Sequence, residues 1–582
     1  MDPLKPLGRT LEEFKPLGPG EQRMLDACRK GEVAELGEAT PEAASDAVRV
    51  RAAFLRFLLL GGDGQAPVHE CGVQLRGAFV EGLLDLTGCR IRANVDLKRC
   101  RFDRQIAAMD AHLDGLLALQ GSHLAEGLSA DRLRCSAGVL LREGFKATGE
   151  VRLGGAQIGD DLDCEGGQFE VNEGNALFAA GADVKGGVFL SGAFKATGRV
   201  SLLDSHIGGS LGCVAGHFEV KEGDALAADR IDVKGSVFLG GGFKATGRVR
   251  LLGAKIGGNL ECTRGQFEAP TGSALSLDRA IVQGAWHLYD LPQPLRVDAS
   301  HADVAVLIDD LAAWAPGSVL DGFRYTTLGG RAPTTGTDRL KWLGKQPGEQ
   351  LGNGYSGTDF RPQPWRQLQR VLRDMGHTED AKQVGIAFED HLRAIGRLGQ
   401  SPPGTPAPLA ALKRVVAKAG HFTFGLLAGY GYRPIRLLGW MAGVWFVCGA
   451  MYWWLALPPR SAMAPSDPLV FQNPAYRECL PDKDPKPGNW YLCDALRGEY
   501  ATFSPLAFSL DVMLPVVDLG QEKSWGTFVP TPREKPLEEL FGHFHWGHLA
   551  RLLIWFEILF GWLSSLLLVA IVSGFSRRND EG

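Results

Sequence analysis

The sequence FKATGEVRLGGAQIGDDLDCEGGQFEV, starting at Phe145, returns as FKATGRVSLLDSHIGGSLGCVAGHFEV at Phe194 and as FKATGRVRLLGAKIGGNLECTRGQFEA at Phe243. The period is 49 residues, kept by Ile158, Ile207 and Ile256 and again by Phe169, Phe218 and Phe267. Self-similarity at a fixed spacing of this size is the mark of a solenoid, in which each unit buries its apolar face against the next. Within one period, TGRVSLLDSHI and KGSVFLGGGF alternate apolar with polar or small residues and break at Gly and Asp. Alternation specifies strands and the breaks specify tight corners. A helical solenoid is excluded, because its apolar residues would recur every three or four positions with few glycines. The 49-residue period is read as two coils.

The segment ALFAAGADV at Ala176 resembles the A-[DN]-L-x-x unit of pentapeptide-repeat proteins. That resemblance implies a right-handed, roughly square β-helix with inward Leu, Val or Phe. Cys164, Cys213 and Cys262 recur in register, which raises a metal or redox reading. Residues two coils apart lie about 9.6 Å from one another at a strand spacing of ~4.8 Å. A disulfide needs Cα atoms within ~7 Å, and a shared metal needs closer ligands still. The three thiols are therefore expected to be small apolar core residues. Lys146, Lys195 and Lys244 repeat in the same way and are read as a solvated face that would also suit an anionic partner.

The length of 582 residues suggests several domains, and a net charge of −5 gives no reason to expect nucleic acid. Residues 1–30 are polar and charged, without the apolar stretch of a cleavable signal peptide. From Pro41 to Leu60 the spacing of Val48, Ala52, Phe54, Leu55, Phe57 and Leu58 predicts a helix, stopped by Gly61 and Gly62. It is expected to cover the open end of the solenoid, which otherwise exposes strand edges. Trp314 and Phe323 are candidates for closing the other end. TDRLKWLGKQ reads as a short helix. A helical hairpin follows, with Trp365, Leu368, Val371, Leu372 and Met375 on one arm and Ala381, Val384, Phe388, Leu392 and Ile395 on the other. Gly376 should end its first arm and Thr378 should begin its second.

SPPGTPAPL, residues 401–409, reads as a linker. The basic amphipathic segment behind it carries Lys413, Arg414 and Lys418, and then Leu437 to Leu457 runs without a charge. A second apolar run spans Leu552 to Phe575 and is closed by Arg577 and Arg578. Each is long enough to cross a ~30 Å hydrocarbon core. Basic residues before the first span and after the second place both ends in the cytoplasm, with residues 458–548 outside, although Arg551 runs against this rule. Cys479 and Cys493 both fall in the outer segment, where an oxidising compartment would permit a disulfide.

Between the spans, Ser504-Pro505 should start a helix that runs to Leu514 and breaks at Pro515 into Val516, Val517, Asp518, Leu519 and Gly520. A short helix followed by an extended Gly-containing stretch, set between two spans, resembles the pore loop of two-span cation channels. The resemblance implies a filter of backbone carbonyls or of carboxylates, one Asp518 per subunit. The competing reading is a helix lying on the outer membrane surface, anchored by Phe503, Phe508 and Trp525. Glu557, inside the second span, points to a bundle interior, a water-filled path or a partner. His543, His545 and His548 precede it and are weak candidates for a metal.

No Walker A, dinucleotide-binding, HExxH, CxxC or GxSxG motif is present, so no catalytic or cofactor site is predicted. With the G-Y-G-Y-R-P element at Gly429 to Pro434 and L-P-V-V-D-L-G-Q at Leu514 to Gln521, the chain resembles a group of bacterial β-helix membrane proteins often labelled membrane-associated oxidoreductases.

The expected fold is mainly β, a right-handed β-helix solenoid with an N-terminal helical cap, a C-terminal helical hairpin and two transmembrane helices. The expected domains are a cap (1–65), the solenoid (66–330), the hairpin (331–400), the linker and basic segment (401–433), a span (434–457), an outer segment (458–548) holding the pore-loop-like element (503–521), a second span (549–576) and a tail (577–582). Three functions stand: a homo-oligomeric channel or membrane-permeabilising effector of the bacterial inner membrane, a scaffold anchored by its spans in membrane lipid with a protein partner on the solenoid, and a membrane-associated oxidoreductase.

Overall fold

A computed structural model describes residues 10–352, 360–400, 402, 404–480, 489–496, 498, 500–529 and 545–574. The chain forms two compact units, Met1–Ala387 and Phe388–Gly582.

The first unit is a parallel β-solenoid of about 11 turns. A coil contains four short strands, as in Arg90–Ile91, Val95–Lys98, Arg101–Phe102 and Ile106–Ala107, after which His112–Leu113 stacks in register on Arg90–Ile91. Because most strands are two residues long, only 25% of the chain is strand against 31% helix. The strands turn apolar residues inward, and Leu113, Leu117, Leu124, Leu128 and Val139 are all buried.

The corners follow a shorter period than the sequence shows. Backbone in the left-handed region recurs at Gly88, Arg99, Asp110, Gly121, Arg132 and Glu143, every eleven residues, so two such corners close each coil. Many of these residues are not glycine, and the left-handed corner costs each of them roughly 1 kcal/mol. Paired corners offset part of that cost through ion pairs between neighbouring coils, Arg132 with Asp110 at 2.7 Å and Arg230 with Asp204 at 2.6 Å.

The 49-residue period arises because alternate coils differ. Gln157 pairs with Asp183 and Asp183 with His206, steps of 26 and then 23 residues. The longer coils carry their extra residues at one corner, where Gln168–Phe178 and His217–Ala227 run as continuous eleven-residue strands. Val171 and Val220 of these insertions lie over Gly198 and Gly247, where a Cβ would meet a valine methyl at 2.4 Å. With φ of +124° and +127°, both positions require glycine for the backbone as well. Inside, Phe145, Phe169, Phe194, Phe218, Phe243 and Phe267 stack with ring centroids 5.2–5.3 Å apart. The ring comes alternately from FKA and from QFE or HFE, two register positions later, with Ala196 opposite Phe169 to make room. Cys164, Cys213 and Cys262 are fully buried and separated by Leu190 and Leu239 of the intervening coils. Lys146, Lys195 and Lys244 likewise alternate with Gln168 and His217, and Lys146 pairs with Glu170 at 3.1 Å.

At the start of the solenoid two helices, α1 (Pro19–Lys30) and α2 (Ala52–Leu59), take the place of the single expected one. The segment before α2 is not helical, because Arg49–Arg51 joins the sheet beside Phe79–Glu81 and buries Val50. Helix α1 arises within residues read as lacking a core. Its Met24, Leu25 and Cys28 are buried, and Glu21 receives Arg51 at 2.7 Å.

At the other end Trp286, Trp314, Phe323 and Tyr325 close the core together with Trp342 of α3 (Gly336–Leu343). Asp309 and Arg339 form a fully buried, two-pronged ion pair at 2.7 and 2.9 Å, and the indole of Trp314 donates to the same carboxylate at 2.8 Å. Helix α4 (Gln363–Asp374) buries Trp365, Leu368, Val371 and Leu372. Gly376 turns the chain at φ +87°, and α5 (Thr378–Ala394) begins at Thr378.

In the second unit, α6 (Ala407–Ala428) starts inside the expected linker, since Pro408 is tolerated in a first turn. A three-residue elbow, Gly429–Gly431, leads into α7 (Pro434–Ala456). The segment beyond contains α8 (Pro468–Gln472), α9 (Pro505–Met513) and α10 (Gln521–Ser524), and the last helix is α11 (Trp546–Val572).

Candidate functional site: a helix set between two apolar helices

Helices α7 and α11 have mean hydropathies of 1.4 and 2.1. Their 23 and 27 residues give lengths of about 35 and 40 Å at ~1.5 Å per residue, enough to cross a bilayer. Exposed apolar side chains such as Phe446, Trp453, Trp555 and Leu563 cover their outer surfaces.

Helix α9 packs between them. It runs against α7, from Leu506 on Gly449 to Met513 beside Met441 and Leu437. The Trp445 indole donates to the Leu506 carbonyl at 2.8 Å, and the Ser509 hydroxyl lies 3.0 Å from the Trp445 carbonyl. On its other side α9 meets α11 so closely that a Cβ on Gly561 would stand 1.8 Å from the Met513 carbonyl oxygen. The helix begins at Pro505 as the sequence implies, but the Ser504 hydroxyl does not cap it. Instead the Ser504 amide donates to Gln521 at 3.0 Å. Its end follows from Pro515, which confines Leu514 to extended backbone, φ −98° and ψ 102°.

The chain then doubles back beside α9. Asp511, on α9 itself, holds the returning segment and the start of α10 by accepting from the Leu519 amide at 2.6 Å and the Glu522 amide at 2.9 Å. Trp525–Thr527 pairs antiparallel with Met463–Pro465, which follows α7 directly, so the loop leaves and re-enters on one side. Val516 lies at the turn and is 93% exposed, and Val517 and Leu519 are exposed too. The Asp518 carboxylate contacts the Lys523 ammonium and accepts from the Gly520 amide, and these two contacts hold it below the usual carboxylate range. Glu522 is shifted the opposite way, chiefly by burial and then by Asp511.

Glu557 is fully buried between the three helices. One carboxyl oxygen accepts from the Tyr452 hydroxyl of α7 at 2.8 Å, and the other meets the Ser509 hydroxyl of α9. A single side chain therefore ties α7, α9 and α11 together. Tyr452 and Asp511 were missed by sequence reasoning, although an acid inside the apolar stretch LAFSLDVML was a signal for the second.

The rings of Phe503, Phe508 and Trp525 are buried together, with Phe503 5.5 Å from Phe508 and 5.1 Å from Trp525. They are core to the segment between α7 and α11, and α9 stands alongside both helices. A disulfide joins Cys479 and Cys493, whose Cα atoms are 5.5 Å apart. His545 caps α11, its Nδ1 accepting from the Gly547 amide at 3.1 Å, and burial followed by the nearby His548 lowers its pKa. His548 lies against the His545 carbonyl. His543, Arg577 and Arg578 lie outside the described residues, among which no cluster of three metal-ligating side chains occurs. No family model matches the chain, and neither a curated protein nor a solved structure shows significant similarity to it.

Proposed function

We propose that the protein is a homo-oligomeric ion channel or membrane-permeabilising protein of the bacterial inner membrane, with the solenoid in the cytoplasm as sensor or assembly surface. The observation that supports this is the course of residues 505–521. A short helix enters between two apolar helices, turns at a proline and returns extended beside itself. Two helices from one chain cannot enclose a pore, so several copies must assemble around the loop. The pairing of Asp518 with Lys523 favours a path lined by backbone carbonyls around Val516 and Val517 over an open ring of carboxylates. Kinship with pentapeptide-repeat proteins belongs to the same proposal. Four-sided coils support it, whereas the eleven-residue corner spacing departs from a five-residue unit.

Reconstitution of the full chain in liposomes tests the reading. Ion flux is expected, together with a detergent mass of several chains and block of Val516→Cys by a charged thiol reagent that leaves the parent unaffected. A monomer without flux would leave the anchored scaffold as the better account.

A further inference from the structure

Helix α6 carries an exposed apolar stripe. Leu409 (45% exposed), Leu412 (58%), Val415 (64%), Val416 (61%), Phe422 (53%) and Leu426 (46%) fall within one arc of the helix. Lys413 and Lys418 flank the stripe on its two sides and Arg414 lies behind it, and the helix contains no acidic residue. Arg433 and Arg436 follow at the start of α7, exposed like Lys413 and Arg414. None of these five cations forms an ion pair among the described residues.

The opposite side of α6 is already occupied. His421 donates through Nε2 to the Glu389 carboxylate at 3.0 Å, and its ring lies 4.5 Å from that of Tyr430 in the elbow. The Tyr430 hydroxyl donates to Asp390 at 2.6 Å and accepts from Arg393 at 3.0 Å. The end of α5 and the elbow thus fix the rotation of α6 about its axis and leave the stripe facing outward. The helix is joined to the first apolar helix by five residues, 429–433, of which Gly429 and Tyr430 have φ of +55° and Gly431 of +86°, so it cannot move far from the start of α7.

We infer that α6 lies on the bilayer surface, with its stripe among the acyl chains and its basic residues on anionic phospholipid headgroups. Three features on one helix select this occupant. The stripe is wide, with Thr423 its one polar residue, the flanking charge is of one sign and unpaired, and Ile435 at the start of α7 is apolar and 78% exposed. The inference rests on α7 and α11 spanning a membrane and not on the protein conducting ions. Each basic residue near an anionic surface strengthens binding about fivefold, so three together favour the immersed helix by roughly a hundredfold.

A nitroxide on Leu412→Cys, in the full chain with the exposed Cys71 replaced by Ser, reads this directly in nanodiscs. With anionic lipid, the label is expected to collide with oxygen and to be shielded from a water-soluble nickel complex. The variant K413Q/R414Q/K418Q should lose roughly that hundredfold preference. Collision with nickel in both lipid compositions would overturn the proposal, as would immersion that ignores both lipid charge and the triple substitution. Spin–spin broadening that disappears on dilution with unlabelled chain would show that a second copy covers the stripe, which also overturns it. A label on Phe446→Cys of α7 separates this failure from failure of the spanning reading, because it must report lipid whatever α6 does.

Discussion

Replacing Glu557 discriminates between two accounts of the site. In Glu557→Ala the Tyr452 hydroxyl, fully buried, loses its partner, at a cost of about 1–3 kcal/mol. Ser509 keeps the Trp445 carbonyl and loses little, while the vacated volume between α7, α9 and α11 adds about 1–2 kcal/mol. The sum is roughly 3 kcal/mol, which for a unit of this size lowers the unfolding temperature by about 6–12 °C. Glu557→Gln should behave differently, because an amide can accept from Tyr452 through its oxygen and donate to Ser509 through its nitrogen. It is expected to stay within about 1 kcal/mol of the parent. The measurement is thermal unfolding of the detergent-solubilised full chain, followed with the oligomeric mass. Equal loss in the Gln and Ala variants would refute the argument, since it would mean that the site needs a negative charge and not a hydrogen-bonding shape. If conduction depends on α9 being held in place, Ala should abolish flux and Gln should retain it.

Four further outcomes follow from the geometry. Asp309→Ala strands the fully buried Arg339 and should destabilise the solenoid end by about 3–5 kcal/mol, while D309L/R339M should cost markedly less. A denaturant melt followed by tryptophan fluorescence would expose additivity, the contrary result. His545 is held below its ordinary pKa and accepts from Gly547 only while neutral, so its contribution is fully present above the ordinary histidine value of about 6.5 and is lost as pH falls below it, through the lowered pKa of the folded state. The protection factor of the Gly547 amide, its exchange rate taken against the intrinsic rate at each pH, should fall on acidification, and a constant protection factor would count against the cap. Burial pushes the Cys262 thiol up to about 12 and raises Cys164 and Cys213 as well, so mass spectrometry should find them alkylated only after unfolding. In the channel reading, Asp518→Asn should lower cation conductance and Lys523→Gln should raise it, because each unmasks the other's charge at the loop; effects of the same sign would remove the pair from the conduction path.

The repeat announced the solenoid because 49 residues is long enough for near-identity to be visible by eye. The eleven-residue corner spacing was hidden, since a left-handed corner is filled by Arg132, Glu143 or Ala215 as readily as by Gly121. The chemistry of the corner lies in the backbone, and no residue type reports it. The error at residues 41–51 has a related cause. Apolar spacing there fits a helix, but pairing with Phe79–Glu81 satisfies the backbone of Arg49–Arg51 and buries Val50, and a tertiary contact of that kind overrides local periodicity. Both apolar helices were legible because length and lack of charge suffice to identify them. The partners of Glu557 were not, because Tyr452 and Ser509 lie 105 and 48 residues away from it.

That separation bears on how the site holds together. The contacts that position α9 come from both long helices and from the loop itself: Gly449 and Trp445 on α7, Gly561 and Glu557 on α11, and the Leu519 and Glu522 amides beyond the turn, which donate to Asp511 of α9. Two of these are glycines that permit close approach, and the others are polar contacts within an otherwise apolar bundle. An anchor needs none of them, since hydropathy alone would retain two spans in a membrane. Lipid cannot satisfy polar backbone, so a non-helical turn at Leu514 to Gly520 must be held against protein or against water. Gly561→Leu is therefore the substitution that separates the two functions. It should eject α9 and abolish flux while leaving both spans inserted, and a variant that kept its flux would show that the loop has no part in conduction.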